Sequence, residues 1–168
     1  RDGDQYYQWS PDSKWLLVDW SVSLNNTELL LISKDGKKRK NLTQSGYYEF
    51  YPKWINDGSQ IMYFTNRDGL KSYATSGSFE TDVYTMFLTQ ESWDKFNKTK
   101  EEFDLLKMIE ESSKEDKEED GTDNKKKKNK KKEEPEVTSV TFDLEDVDRR
   151  KARLTIHSSK LSDAVLSK

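Results

Sequence analysis

The apolar positions of this chain come in short runs broken by turn residues, and the runs repeat. Trp9-Ser10-Pro11-Asp12-Ser13 leads into Lys14-Trp15-Leu16-Leu17-Val18-Asp19-Trp20. Trp54-Ile55-Asn56-Asp57-Gly58, 45 positions later, leads into Ser59-Gln60-Ile61-Met62-Tyr63-Phe64. Each copy sets an aromatic at the end of one apolar run, then a turn, then a second apolar run. Proline suits the second position of a tight turn, and Asp-Ser or Asp-Gly closes it. Each copy therefore predicts a β-hairpin.

Further runs extend both hairpins. In the first copy, strands are predicted at 4–10, 14–21, 27–33 and 39–43, with turns at Asn25-Asn26 and at Lys34-Asp35-Gly36-Lys37. The unbroken run Leu29-Leu30-Leu31-Ile32 predicts burial on both faces. In the second copy, strands one to three are predicted at 47–54, 60–65 and 81–87. The offset from Thr27 to Thr81 is 54, which places nine inserted residues between strands two and three. Ala152-Arg153-Leu154-Thr155 echoes Lys40-Asn41-Leu42-Thr43 at an offset of 112, which places 58 more between strands three and four. Leu42 precedes Trp54 by twelve residues and Leu154 precedes Leu166 by the same number, so a third copy is expected to begin at Leu166.

A four-stranded unit recurring every 40–45 residues or so is the pattern of a propeller blade. The expected fold is all-β: a β-propeller fragment of two four-stranded antiparallel blades with a helical and charged low-complexity insert. The expected divisions are a blade at 1–45, three strands of the second blade at 46–89, the insert at 90–136, the last strand within 137–160, and the start of the next blade at 161–168. Within the insert, 90–112 reads as helical. Thr99-Lys100-Glu101-Glu102 is a capping box, and Phe103, Leu106 and Ile109 share one face. From 112 to 136, lysines and acids nearly cancel and aromatics are missing, which predicts disorder or a solvated helix. Val137–Leu144 returns to a β pattern.

Strand direction places the insertions. Successive turns of an up-and-down blade alternate between its two ends. The 66–80 loop and the 88–150 insert are therefore expected at opposite ends. The loop should lie by the blade-to-blade connection, and the helix should lay Phe103, Leu106 and Ile109 on the other end or on a neighbouring domain.

Charge and composition narrow the partners. Net charge is −3 over 168 residues, with 36% charged and 12% aromatic residues, so no global field favours nucleic acid or an anionic membrane. Cysteine is absent, which removes disulfides and thiolate metal sites. No apolar stretch approaches the ~20 residues of a membrane span. A chain opening on Arg1 is expected to be a piece of a longer protein.

Candidate chemistry is sparse. His157 is the single histidine, and no Gly-x-Ser-x-Gly elbow accompanies it, so no catalytic residue is assigned and His157 is expected in a loop. Lys125–Lys128 and Lys130–Lys132 resemble a basic patch, but flanking acids cancel its field. Asp116, Asp120 and Asp123 lack calcium-loop spacing. No cofactor or metal is expected. Aromatics near the hairpins, such as Tyr47, Tyr48 and Phe50, suit either a ligand platform or inter-blade packing, and Trp9 and Trp54 are expected in the core. The loop from Arg67 to Ser78 is the best candidate site, with cations, hydroxyls and glycine hinges on a rigid scaffold. Its candidate peptide contacts are Arg67, Asp68, Lys71, Ser72 and Tyr73.

The hairpin motif, the Asn66-Arg67-Asp68-Gly69 turn and Leu42-Thr43 before the next blade resemble the TolB-type propeller repeat. The larger pattern resembles tricorn-like serine proteases over nearly the whole chain. It runs from Met62 to Ser72, then Asp82-Val83-Tyr84-Thr85-Met86-Phe87, the charged insert, Asp148-Arg149-Arg150 and Arg153-Leu154-Thr155. Asn56 departs from the usual Pro, and Leu166 from the usual aromatic. That resemblance implies a non-catalytic segment guiding or gating peptide or unfolded-protein substrates to a serine endopeptidase domain of the C-terminal-processing type outside this chain. The implied partners are the remaining propeller, a PDZ domain and the peptidase domain, with homo-oligomerisation left open. Nucleic acid and membrane are not expected partners. The compartment stays open between periplasm and cytoplasm of a prokaryote. The alternative is a TolB-like propeller acting as a protein-protein interaction scaffold. A weaker option is the propeller of a prolyl-oligopeptidase-type enzyme.

Overall fold

The computed structural model describes residues 5–72, 78–119 and 139–166. The chain divides into two compact units, one from 1–92 with 137–168 and one from 93–136. The first unit holds two four-stranded antiparallel sheets. One sheet runs β1 (Tyr7–Trp9), β2 (Trp15–Ser23), β3 (Asn26–Ser33), β4 (Arg39–Asn41) in spatial order. The other runs β5 (Glu49–Ile55), β6 (Gln60–Thr65), β7 (Asp82–Phe87), β8 (Lys151–Arg153), with helices α1 (Gln90–Phe96) and α2 (Lys100–Glu119) between β7 and β8. Both are up-and-down meanders, and the chain is a two-blade propeller fragment.

One core lies between the sheets. Leu17, Leu29, Leu31 and Leu42 of the first sheet pack with Ile61, Tyr63, Met86 and Leu88 of the second. The alternation along β6 is strict. Ile61 and Tyr63 enter this core, while Met62 and Phe64 face the opposite side with Val83, where Leu161 and Ala164 cover them. An apolar run buried on both faces needs such cover on each side.

The two sheets share one polar device. Glu28 stands near the start of β3, and Asp82, its counterpart at the 54-residue offset, opens β7. Both are buried. The Thr43 hydroxyl donates to Glu28 Oε2 at 2.6 Å, and the Thr155 hydroxyl to Asp82 Oδ1 at 2.8 Å. Each threonine oxygen also accepts the next strand N–H, from Leu29 at 3.1 Å and Val83 at 3.3 Å. Ser45 N–H and Gly46 N–H complete the Glu28 carboxylate, while the Ser158 hydroxyl and Arg153 guanidinium complete Asp82. The recurring Leu-Thr pair is thus a latch that fixes where the chain leaves an outer strand.

The two hairpin turns differ. Ser10 Oγ accepts the Trp15 N–H at 3.0 Å, and only Ser13 has positive φ in that turn. In the second copy both Asn56 and Asp57 do, at φ 49° and 53°. Proline cannot reach positive φ, so Asn in place of Pro at 56 is what this turn requires. Gly58 follows at φ 87°, and a Cβ there would stand 2.8 Å from Val140 Cγ2 and 3.2 Å from Pro11 Cδ.

Within the β pattern at 137–144, the described residues 139–144 form no strand. Residues 139–144 pair with no ladder; they form a strap across the turn end of both sheets. Val140 N–H bonds Asp12 Oδ2 at 3.0 Å, and Lys14 Nζ donates to Ser139 Oγ at 2.9 Å. Phe142 sits 5.0 Å from Trp15 and 6.1 Å from Trp54, centroid to centroid. Alternation survives because one side of the strap meets the core and the other meets water. Buried Arg150 pins the return by donating to Phe87 O, Asp143 Oδ2 and O, and Glu145 O.

In the 93–136 unit, α2 starts on the expected capping box. Thr99 N–H bonds Glu102 Oε2 at 2.8 Å and Glu102 N–H bonds Thr99 Oγ1 at 3.3 Å. The helix runs past 112 to Glu119. On this helix Phe103 and Ile109 are exposed and Leu106 is half-buried. Residues 120–138, with most of the charged segment, lie outside the described residues. Trp9 is also corrected: it is 46% exposed, whereas Trp54 is half-buried against the core. Trp54 has the first sheet beside it, and its Nε1 donates to Gln8 O at 3.3 Å. No described sheet stands on the corresponding side of Trp9.

Breaking the latch should be costly. Burial alone would raise the Asp82 carboxyl, but the Ser158 and Thr155 hydroxyls and Arg153 outweigh it and hold the group below the usual range. Its stabilisation is therefore present above the unfolded-state pKa and lost as pH falls through the folded one. Asp82→Ala should lower unfolding free energy by about 3 kcal/mol, the low end for a buried pair because Arg153 keeps some water. Urea titration at neutral and acid pH checks this: the deficit should shrink in acid, and a pH-independent deficit would refute it.

Candidate functional site

The two insertions leave opposite ends of the second sheet. Gln60 pairs with Phe87 at one end and Thr65 with Asp82 at the other, so the chain departs into the 66–80 loop and into the segment after Phe87 from opposite ends of this strand pair. The loop lies beside the connection between sheets. Asn66 N–H bonds Tyr48 O at 3.2 Å, and Tyr48 N–H bonds Asn66 Oδ1 at 3.0 Å. Glu80 N–H returns to Leu70 O at 2.9 Å and closes the loop stem. Gly69 is packed there, not hinged: a Cβ would meet Glu80 O at 2.5 Å.

The candidate residues divide by role. Arg67 stacks on the Tyr47 ring at 5.0 Å and reaches Glu49 Oε1 at 3.9 Å. Asp68 accepts the Tyr84 hydroxyl, and burial followed by this carboxylate pushes the phenol up to about 12. Lys71 Nζ stands 5.2 Å from the Tyr47 centroid and donates to Arg67 O at 2.7 Å. Lys71 and Ser72 line a cavity of about 270 Å³ with Leu24, Asn25, Tyr48 and Phe79. Tyr73 lies outside the described residues. His157 is an exposed bend residue after β8.

Sequence reasoning missed two features. Tyr48 and Phe79 also wall a second cavity of about 520 Å³, floored by Asp19, so the two openings adjoin. Beneath the loop, Glu49 is fully buried, and its carboxylate oxygens have no hydrogen-bond partner among the described residues. Burial pushes this carboxyl up; the nearby Thr43 and Ser45 hydroxyls pull the other way without offsetting it, and the Glu28 charge adds to the rise. Burial, then Arg67, lowers the Lys151 ammonium across the same interior. A lone Glu at a strand start carries no such signal in the sequence. Among the described residues no group of His, Cys, Asp and Glu could hold a metal ion, and no helix is long and apolar enough to cross a membrane.

No protein-family model matches this sequence, and no curated protein is similar to it. The fold is similar to the crystal structure of the tricorn protease, with a TM-score of 0.48 and 11% identity. That likeness covers 91% of this chain and 13% of the other. Strand order and register within this chain define the two blades.

The Glu49 site has a pH signature. A raised folded pKa means the folded state keeps the proton longer, so stability falls as pH rises through and above the ordinary carboxylate range. Glu49→Gln should flatten that slope and gain relative stability toward neutral pH. Chemical unfolding of both proteins across pH measures it; parallel pH curves would show that Glu49 is not the buried, unsatisfied acid described above.

Proposed function

We propose that these two blades are a non-catalytic accessory segment of a tricorn-like serine peptidase, guiding or gating peptide substrates to a catalytic domain carried outside this chain. One observation carries the reading: Lys71 and Ser72 sit on a pinned loop at the rim of adjoining cavities. Arg67 stacking on Tyr47 and the Leu70–Glu80 closure hold that loop. Binding residues concentrate on loops held by rigid scaffolds. An ammonium with spare donors and a hydroxyl suit the carbonyls and carboxylates of an extended peptide. Arg67 and Asp68 support the loop from below, through Glu49, Tyr47 and Tyr84.

The test uses the full-length parent. Lys71→Ala should lower kcat/KM for peptides roughly fivefold, the worth of one exposed charge contact of about 1 kcal/mol. Its melting temperature should stay unchanged. Arg67→Ala should lower the melting temperature as well, because it uncovers Glu49. Unchanged turnover in Lys71→Ala would reduce the loop to a spacer and favour the scaffold reading.

A further inference from the structure

The larger cavity lies where β2 and β3 of one sheet face β5 of the other. Its floor is Asp19, 9% exposed. Asp19 Oδ1 accepts the Tyr6 N–H at 3.0 Å, and Oδ2 accepts the Tyr51 N–H at 3.2 Å. Each carboxylate oxygen therefore takes one bond and keeps a second acceptor site. No ion pair reaches Asp19 among the described residues; burial pushes its carboxyl up, and the Tyr51 and Tyr6 N–H groups offset this only in part, so a cation beside it would favour the charged form. Around it stand aromatic rings. Tyr6 meets Tyr51 edge-on at 5.4 Å, and Tyr48 meets Phe79 at 5.6 Å. Trp20 lines the same cavity and is 43% exposed.

The backbone is bent to build this arrangement. β5 slips register between Phe50 and Lys53, and Tyr51 sits at φ 50°. Left-handed backbone is costly for a bulky residue and is kept where surroundings enforce it. Here the bulge turns the Tyr51 N–H onto a carboxylate of the other blade. The cost would be simpler to avoid if Asp19 served only to fill space.

We propose that this cavity is a binding site for a cationic side chain, a lysine or arginine of a peptide. Rings present a negative face to a cation, and the attraction strengthens when water is excluded. The Asp19 carboxylate supplies the counter-charge, and its free acceptor sites take the ammonium or guanidinium donors. A volume of about 520 Å³ holds such a side chain with its flanking backbone. Lys71 at the adjoining opening disfavours a second cation there, which gives the pair of cavities a charge direction. A peptide crossing both would place its basic residue over Asp19 and a carbonyl or acid by Lys71.

The experiment uses the 168-residue chain and three capped amino acids: the Nα-acetyl methylamides of lysine, arginine and norleucine. Two-dimensional NMR follows each titration. The two basic probes should shift Trp20 and Phe79 resonances saturably, and norleucine should not. Trp20→Ala, at a half-exposed position, should weaken lysine binding by about tenfold, the scale of a desolvated cation–π contact, with the dispersed amide spectrum of the folded chain retained. Asp19→Asn should abolish the preference for lysine over norleucine. Equal binding of norleucine, no saturable shift with either basic probe, or unaltered affinity in Trp20→Ala would each overturn the proposal. It rests on the peptide-contact reading only for the source of the cation. Probe binding with unchanged Lys71→Ala turnover refutes that reading alone, and altered turnover without probe binding refutes this one alone.

Discussion

The architecture depends on a buried carboxylate at the start of each third strand. Glu28 and Asp82 sit where no charge is comfortable, and each is made tolerable by hydroxyl and N–H donors from the segment leaving the fourth strand. A buried acid without donors would lose much more than a hydrogen bond. Placing the donors on the outgoing segment converts that penalty into a positional constraint: the chain must pass the acid before it can enter the next sheet. Thr27 N–H then bonds Tyr47 O, and Thr81 N–H bonds Ser159 O, at equivalent points of the two exits.

This constraint explains how the second sheet accepts a long insertion between its third and fourth strands. β8 has only three residues, too little ladder to recruit a strand across that distance on its own. Asp82 holds its far end through Arg153, Thr155 and Ser158, and Arg150 holds the near end through the carbonyls around Phe87 and Asp143. The strap at 139–144 then ties the insertion's return to the first sheet. Phe142 between Trp15 and Trp54 joins both hairpins by dispersion and ring-edge contacts.

The opposite end is built with less internal satisfaction. Glu49 has Arg67 at 3.9 Å and no hydrogen bond among the described residues, and Tyr51 holds a strained backbone. Unpaired buried oxygens, on Glu49 and Asn26, gather on the side of the loop and cavities, while the strap end is closed by complementary contacts among the described residues.

The repeat was legible in the chain because its parts are local. Period-two runs, Asp35-Gly36 and the Leu-Thr echo each depend on neighbours a few residues away, and β6 at Gln60–Thr65 has the predicted bounds. The offsets even located the displaced β8, since its echo of the first sheet survives the insertion. The Thr99–Glu102 capping box was equally local. Side-chain fate was not local. Trp9 and Trp54 occupy equivalent positions, yet one is largely exposed and the other packs on the first sheet, because burial depends on which sheet stands beside each. Asn56 was a departure from a motif until its positive φ showed why proline cannot serve there. The alternating segment at 139–144 had a strand's pattern without a strand's partner. Asp19 looked like one polar position in an apolar run; only the bulge at Tyr51, forty-five-residue register and the facing aromatics made it the floor of a cavity. Sequence alone determined strands and their order, because local sterics and periodicity decide those. Tertiary structure decided which charges are buried and what they face, because those energies belong to pairs brought together from distant parts of the chain.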